Sequence, residues 1–214
     1  MHVIDLTYPI GPGMSCYPGT PSPQSSVLCS IEEQGYNERQ LSFSSHTGTH
    51  VDLPLHMLSG GISLDAFLPE QFMGPAAVID LSDFSGTVIP LDRLLRFGQL
   101  VAQCEFVLIN SGWGRYWGSD TYLSGYPVLC EAAADWFAGF RLKGLGIDMV
   151  SFDHADSSGY PVHRRFLESG LLLFENLCGL ERLPEGIFRF IALPLKLQGA
   201  EASPVRAIAL TDAG

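Results

Sequence analysis

Phe106-Val107-Leu108-Ile109-Asn110 is followed by Glu131-Ala132-Ala133-Ala134-Asp135-Trp136-Phe137-Ala138-Gly139-Phe140-Arg141-Leu142-Lys143-Gly144 and then directly by Leu145-Gly146-Ile147. The first and last runs are short, apolar and rich in branched residues, as strands are. The middle run is alanine-rich, acidic early and basic late, so its charges complement a helix dipole, with Gly144 placed as a residue just past the end. A strand, a helix and a strand in succession argue for an α/β domain.

Outward from that stretch the same signals recur. Ala76–Leu81, Leu171–Phe174, Phe188–Leu193 and Val205–Leu210 read as further strands. Leu91–Phe97 and His163–Ser169, the latter followed by Gly170, read as shorter helices. Residues 9–26 are rich in Pro, Gly and Ser and read as a loop, in which Tyr17-Pro18-Gly19 is a surface turn with a packed tyrosine in preference to a lid. No repeat, low-complexity tract or charged linker divides the 214 residues, so 1–214 is expected to be a single domain. The order of the strands does not follow from this pattern.

The composition excludes several classes. With 12 basic and 23 acidic residues the net charge is −11, and Arg164-Arg165 is the one adjacent basic pair. Neither a nucleic-acid partner nor an anionic membrane surface is expected. No apolar run approaches the roughly 20 residues that span a bilayer, and the N-terminus Met1-His2-Val3-Ile4-Asp5 lacks the pattern of a signal peptide. The five cysteines, Cys16, Cys29, Cys104, Cys130 and Cys178, are odd in number and widely spaced. They read as reduced, mostly buried thiols in a cytoplasmic protein. Charged residues make up 16% of the chain, fewer than usual, which points to surface covered by another subunit.

Three of the six histidines and an aspartate fall within His46-Thr47-Gly48-Thr49-His50-Val51-Asp52-Leu53-Pro54-Leu55-His56. Imidazole and carboxylate are the ligand pair of Zn²⁺, Mn²⁺ and non-haem Fe²⁺. Gly48, Pro54 and the β-branched Thr47, Thr49 and Val51 oppose a helix, so this is not the helical H-E-x-x-H arrangement. In an extended chain positions 46, 50, 52 and 56 share one face. At roughly 3.3 Å per residue, however, His46 and His50 stand about 13 Å apart, too far to share an ion comfortably. The chain must bend between them, at Gly48. Thr49 is placed to orient a ligand through its hydroxyl.

These residues resemble the H-x-G-T-H-x-D-x-P-x-H signature of the cyclase-like family, which includes bacterial kynurenine formamidases and isatin hydrolases. The resemblance extends to Val3–Thr7, Tyr17–Gly19, Leu108–Trp113, Gly146–Asp148 with Ser151 and Asp153, Pro161–His163, Phe174–Leu177 and Leu195–Arg206. It implies a compact α/β fold with a mixed β core flanked by helices, the swivelling β/α cyclase-like fold. It further implies that His46, His50 and Asp52 bind a first metal and that Asp52 bridges to a second held by His163 and Glu175. His56 is implied to give and take the proton. Zinc or manganese, one or two ions per subunit, and a homodimer or homotetramer are implied as well. His154 is expected to be a loop histidine outside the ligand shell.

The reaction expected is attack of metal-activated water on the amide carbonyl of an N-formyl aryl amide such as N-formylkynurenine, with a cyclic amide such as isatin, or a lactone, as the alternative substrate. Trp113, Tyr116 and Trp117 stand equally as a pocket for an aromatic substrate and as core or interface residues. A 2-His-1-carboxylate iron oxygenase would leave His46, His56 and Glu175 unused. A non-catalytic metal-binding module would have no need of His56. No G-x-G-x-x-G or Walker A pattern suggests a nucleotide.

Overall fold

A computed structural model describes residues 1–211. The strands of the main sheet are β1 (His2–Asp5), β4 (His50–Asp52), β5 (Met73–Asp80), β7 (Phe106–Asn110), β9 (Gly144–Ile147), β10 (Leu172–Glu175), β11 (Phe188–Pro194) and β12 (Ala202–Thr211). Two small pairs stand apart from it: β2 (Gln24–Cys29) with β3 (Glu38–Ser42), and β6 (Val88–Ile89) with β8 (Val128–Leu129). In the main sheet the order is β1-β12-β11-β5-β7-β9-β10-β4, and β4 also pairs with β12. That last pairing closes seven strands into a mixed barrel and leaves β1 as a spur on β12. Strands β5, β7, β9 and β10 run parallel, whereas β11, β12 and β4 join them through antiparallel ladders.

The alternation of side chains along each strand builds two apolar layers. On β7, Phe106 and Leu108 face the barrel interior with Phe174 and Phe190, whose rings meet Phe106 at 5.9 and 5.4 Å. Val107 and Ile109 face outward, under Ala133, Phe137, Val162 and Phe166 of the helices Glu131–Ala138 and Pro161–Glu168. All five residues of β7 are buried, which is why the run shows no polar alternation.

The α/β expectation and the six strands read from the sequence are present, mostly with ends shifted by one to three residues. The predicted helix Glu131–Lys143 stops at Ala138. Gly144 is not its cap but the first residue of β9, where a side chain would meet the Leu172 carbonyl oxygen at 2.5 Å. Its glycine identity therefore reflects crowding between strands. Leu91–Phe97 holds one short turn of helix, Asp92–Leu95, and a second, Gly98–Val101, follows directly after it. The predicted loop 9–26 ends at residue 23, because Gln24 begins β2. The hairpin β2–β3 was not visible in the sequence, since nearly all of its side chains are exposed and it carries no burial pattern. The five cysteines are free, but Cys104 alone is buried; the other four are half-buried.

Candidate metal centre

Strand β4 is three residues long and fills the seam of the barrel, with Asp52 opposite both Leu173 and Ala202 and His50 opposite both Glu175 and Pro204. Val51 points into the barrel core. Strand alternation therefore turns His50 and Asp52 to the outer face, beside Glu175 at the end of β10. This is the carboxyl end of the parallel strands β9 and β10, where α/β sheets place their ligands.

The other residues arrive by turns. Gly48 takes φ +62°, and a side chain there would lie 2.9 Å from Met14 Cε. That turn brings His46 back over β4. His56 closes a short turn of helix, Pro54–His56. His163 sits in the first turn of the helix Pro161–Glu168, which follows Tyr160 in the left-handed region. The shared-face geometry expected for positions 46, 50, 52 and 56 thus holds for His50 and Asp52 only; His46 and His56 lie outside the strand.

All six residues singled out in the sequence line one pocket of about 250 Å³. They form two ligand-like trios, His46–His50–Asp52 and Asp52–His163–Glu175, in each of which one donor atom per residue lies within 4.8 Å of the others. Asp52 belongs to both: Oδ1 is 2.8 Å from His46 Nδ1 and 3.3 Å from His50 Nε2, while Oδ2 is 3.9 Å from His163 Nε2. Glu175 lies between the trios, with Oε1 3.0 Å from His163 Nε2 and Oε2 3.4 Å from His50 Nε2.

A cation fits this arrangement on two observations. His50 Nε2 and Asp52 Oδ1 are buried and have no hydrogen-bond partner of acceptable geometry, although charged atoms lie within 2.8–3.4 Å of them. Atoms aimed at a common point rather than at one another are what an ion between them requires. The donor set, three imidazoles with two carboxylates, is also the chemistry that borderline divalent cations take. The second nitrogen of His50 is already used, since Nδ1 donates to the Gly48 carbonyl at 2.8 Å. Its Nε2 is therefore the one left to face the pocket.

The electrostatics separate His56 from its neighbours. Burial opposes a charge on His50, but Asp52 and then Glu175 outweigh it and push its pKa up to about 9. Burial is likewise overcome at His163 by Asp153 and Glu175, to about 10. Asp52 is held well below the usual carboxylate range, because its histidine neighbours overcome the burial that would raise it. At His56 burial, aided by the imidazoles of His46, His163 and His50, outweighs the attraction of Asp52 and pushes the pKa down to about 4, so that it is neutral at pH 7.

Several contacts were not legible beforehand. Asp153 Oδ2 lies 2.7 Å from His163 Nδ1, and Glu201 Oε1 lies 3.3 Å from His46 Nε2. Thr49 does not touch a ligand. Its hydroxyl donates to the Asn176 carbonyl at 2.6 Å and accepts the Tyr8 N–H at 3.0 Å, while Asn176 Nδ2 donates to the Gly48 carbonyl. Asn176 takes φ +56°, a conformation that asparagine tolerates better than most side chains. The turns after Gly48 and Glu175 are thereby tied together.

The packing decides two aromatic readings. Trp113, Tyr116 and Trp117 do not line the pocket; they pack on the outer apolar layer, with Trp113 Nε1 donating to the Tyr122 carbonyl and Trp117 stacked on Tyr8 at 3.8 Å. Tyr17, expected in a surface turn, lines the pocket together with Tyr160. His154 lies outside the pocket, 5.4 Å from the Tyr126 ring.

A model of the putative cyclase family matches residues 4–154, a span that holds His46, His50, Asp52 and His56 and ends before His163 and Glu175. The chain is 36% identical over 220 residues to a kynurenine formamidase of Salinibacter ruber, covering 100% of this chain and 99% of that one. Its fold matches isatin hydrolase A from Ralstonia solanacearum with a TM-score of 0.87 at 25% identity, over 99% of this chain and 92% of that one. A structure described as a potential metal-dependent hydrolase with cyclase activity matches with a TM-score of 0.82 at 29% identity, over 97% and 96% of the two chains.

Proposed function

The chain belongs to the cyclase family, and we propose that it hydrolyses the amide bond of an N-formyl aryl amide of the N-formylkynurenine kind. It is a metal-dependent hydrolase of carbon–nitrogen bonds other than peptide bonds. The observation that carries the reading is the pair of trios sharing Asp52, with unsatisfied buried donor atoms beside a neutral histidine.

His46, His50, Asp52, His163 and Glu175 would hold zinc or manganese, as one or two ions. Bound there, the cation polarises the substrate carbonyl and lowers the pKa of a water toward about 7. The chain's own residues do the rest. His56 is held 4.3 Å from the His46 ring and 6.3 Å from the His163 ring, between centroids, so it overhangs both trios. Being neutral, it has a ring nitrogen free to take a proton from the attacking water and to return it to the departing aryl nitrogen. Tyr17 and Tyr160 flank the pocket and offer faces to an aryl group, while Met57 and Val150 supply apolar wall.

A small-molecule substrate, a cytoplasmic site of action and a homodimer or homotetramer complete the proposal. The free cysteines favour a reducing compartment. The hairpin β2–β3 leaves Val27, Leu28 and Leu41 exposed, which favours a second subunit. No helix among the described residues is long and apolar enough to cross a membrane.

The similarity to isatin hydrolase A favours one other reading, opening of a cyclic amide by the same groups. Turnover of N-formylkynurenine, isatin and an aryl lactone by the metal-restored protein separates the two. The formamide should lead in kcat/KM by about tenfold or more, a difference of roughly 1.4 kcal/mol in transition-state stabilisation. Faster opening of isatin, or turnover that survives chelation, would defeat the proposal.

A further inference from the structure

His46 and His163 each turn one ring nitrogen into the centre and the other away from it, and in both cases a carboxylate from elsewhere in the chain meets the outward nitrogen. His163 points Nε2 at Glu175, 3.0 Å away, and Nδ1 at Asp153 Oδ2, 2.7 Å away. His46 points Nδ1 at Asp52, 2.8 Å away, and Nε2 at Glu201 Oε1, 3.3 Å away. Both outer carboxylates are themselves fixed. Asp153 accepts the backbone N–H groups of Val162 and His163 at 3.1 and 2.9 Å. Glu201 accepts the Ser45 hydroxyl at 2.6 Å. Neither belongs to either trio.

A neutral imidazole offers a lone pair at one nitrogen only when the proton sits on the other. A carboxylate anchored at the outer nitrogen therefore selects the tautomer, sets the ring angle and increases the donor strength of the inner nitrogen. We infer that Asp153 and Glu201 are positioning residues for the cation, one serving the His163 end of the centre and the other the His46 end. The inference rests on the metal centre proposed above.

Its test uses the full chain, stripped of metal and titrated with Zn²⁺ against a competing chelator, as parent, Asp153→Asn and Glu201→Gln. Asparagine keeps only one of aspartate's two acceptor oxygens, so Asp153→Asn removes the charge facing His163 together with one of the two backbone contacts. When metal-free, Glu201→Gln should melt within about 2 °C of the parent and Asp153→Asn within about 5 °C. Each should bind Zn²⁺ roughly 10- to 100-fold more weakly. Affinities within twofold of the parent would overturn the inference. So would a fall in metal-free Tm large enough to account for the lost affinity, since the carboxylates would then be only structural. A parent that binds no Zn²⁺ would instead defeat the metal centre itself.

Discussion

The two halves of the centre are built in opposite ways. His46, His50 and Asp52 come from seven consecutive residues, bent once at Gly48 and held by one three-residue strand. Asp52, His163 and Glu175 span more than 120 positions and meet only because β10 lies beside β4 and a helix begins directly over them. The first half depends on local backbone freedom, the second on closure of the barrel. Asp52 is the hinge of the comparison, since one oxygen serves each half.

Asp52→Asn should therefore erase the contrast. It removes the shared charge, leaves the buried His50 without its main partner, and should abolish both stoichiometric Zn²⁺ or Mn²⁺ binding and detectable turnover. Metal analysis beside a turnover assay checks this, and a variant that retains a full equivalent of metal would contradict it. His56→Ala should leave both halves loaded while lowering kcat by roughly 10²- to 10⁴-fold, the range for one general acid–base group. Equal metal content with unchanged kcat would remove His56 from the chemistry.

Thr49→Val loosens the tie between the halves without touching a ligand. It leaves the Asn176 carbonyl and the Tyr8 N–H without their partner, at a cost of about 1–3 kcal/mol. Chemical denaturation measures that loss, and a change below about 0.5 kcal/mol would show the turns to be held by other contacts.

The subtlest test uses pH. In the metal-free protein the pKa values of His50 and His163 are raised to about 9 and about 10. Their contribution to stability is complete below the unfolded value of about 6.5 and is lost as pH rises through those folded values. A cation must displace the same protons, so its affinity rises over that interval. The gap in Tm between metal-loaded and metal-free protein should widen from pH 6 to pH 8.5. A constant or narrowing gap would mean that these histidines carry no such protons.

The contrast also explains how far the sequence could be read. The segment 46–56 announces itself because its ligand types are crowded and its glycine is one that must turn. Asp153 and Glu201 gave no such signal. Each is an ordinary acid in its own stretch, and its partner histidine lies 10 residues away in one case and 155 in the other. The aromatic run at Trp113 could be read two ways for a related reason. Rings that follow a strand can turn toward a pocket or onto the core, and the stacking of Trp117 on Tyr8 draws them to the core.

Apolar runs, a glycine between two histidines and an alternation of strand and helix determined an α/β chain with a metal-like ligand segment, because those features act through the local backbone and through burial. The order of the strands, the closure of β4 between β10 and β12, and the arrival of His163, Glu175, Asp153 and Glu201 were decided by tertiary structure alone. Backbone hydrogen bonds between strands carry no residue code. Which strands become neighbours, and hence which distant carboxylate meets which histidine, is set only when the whole barrel packs.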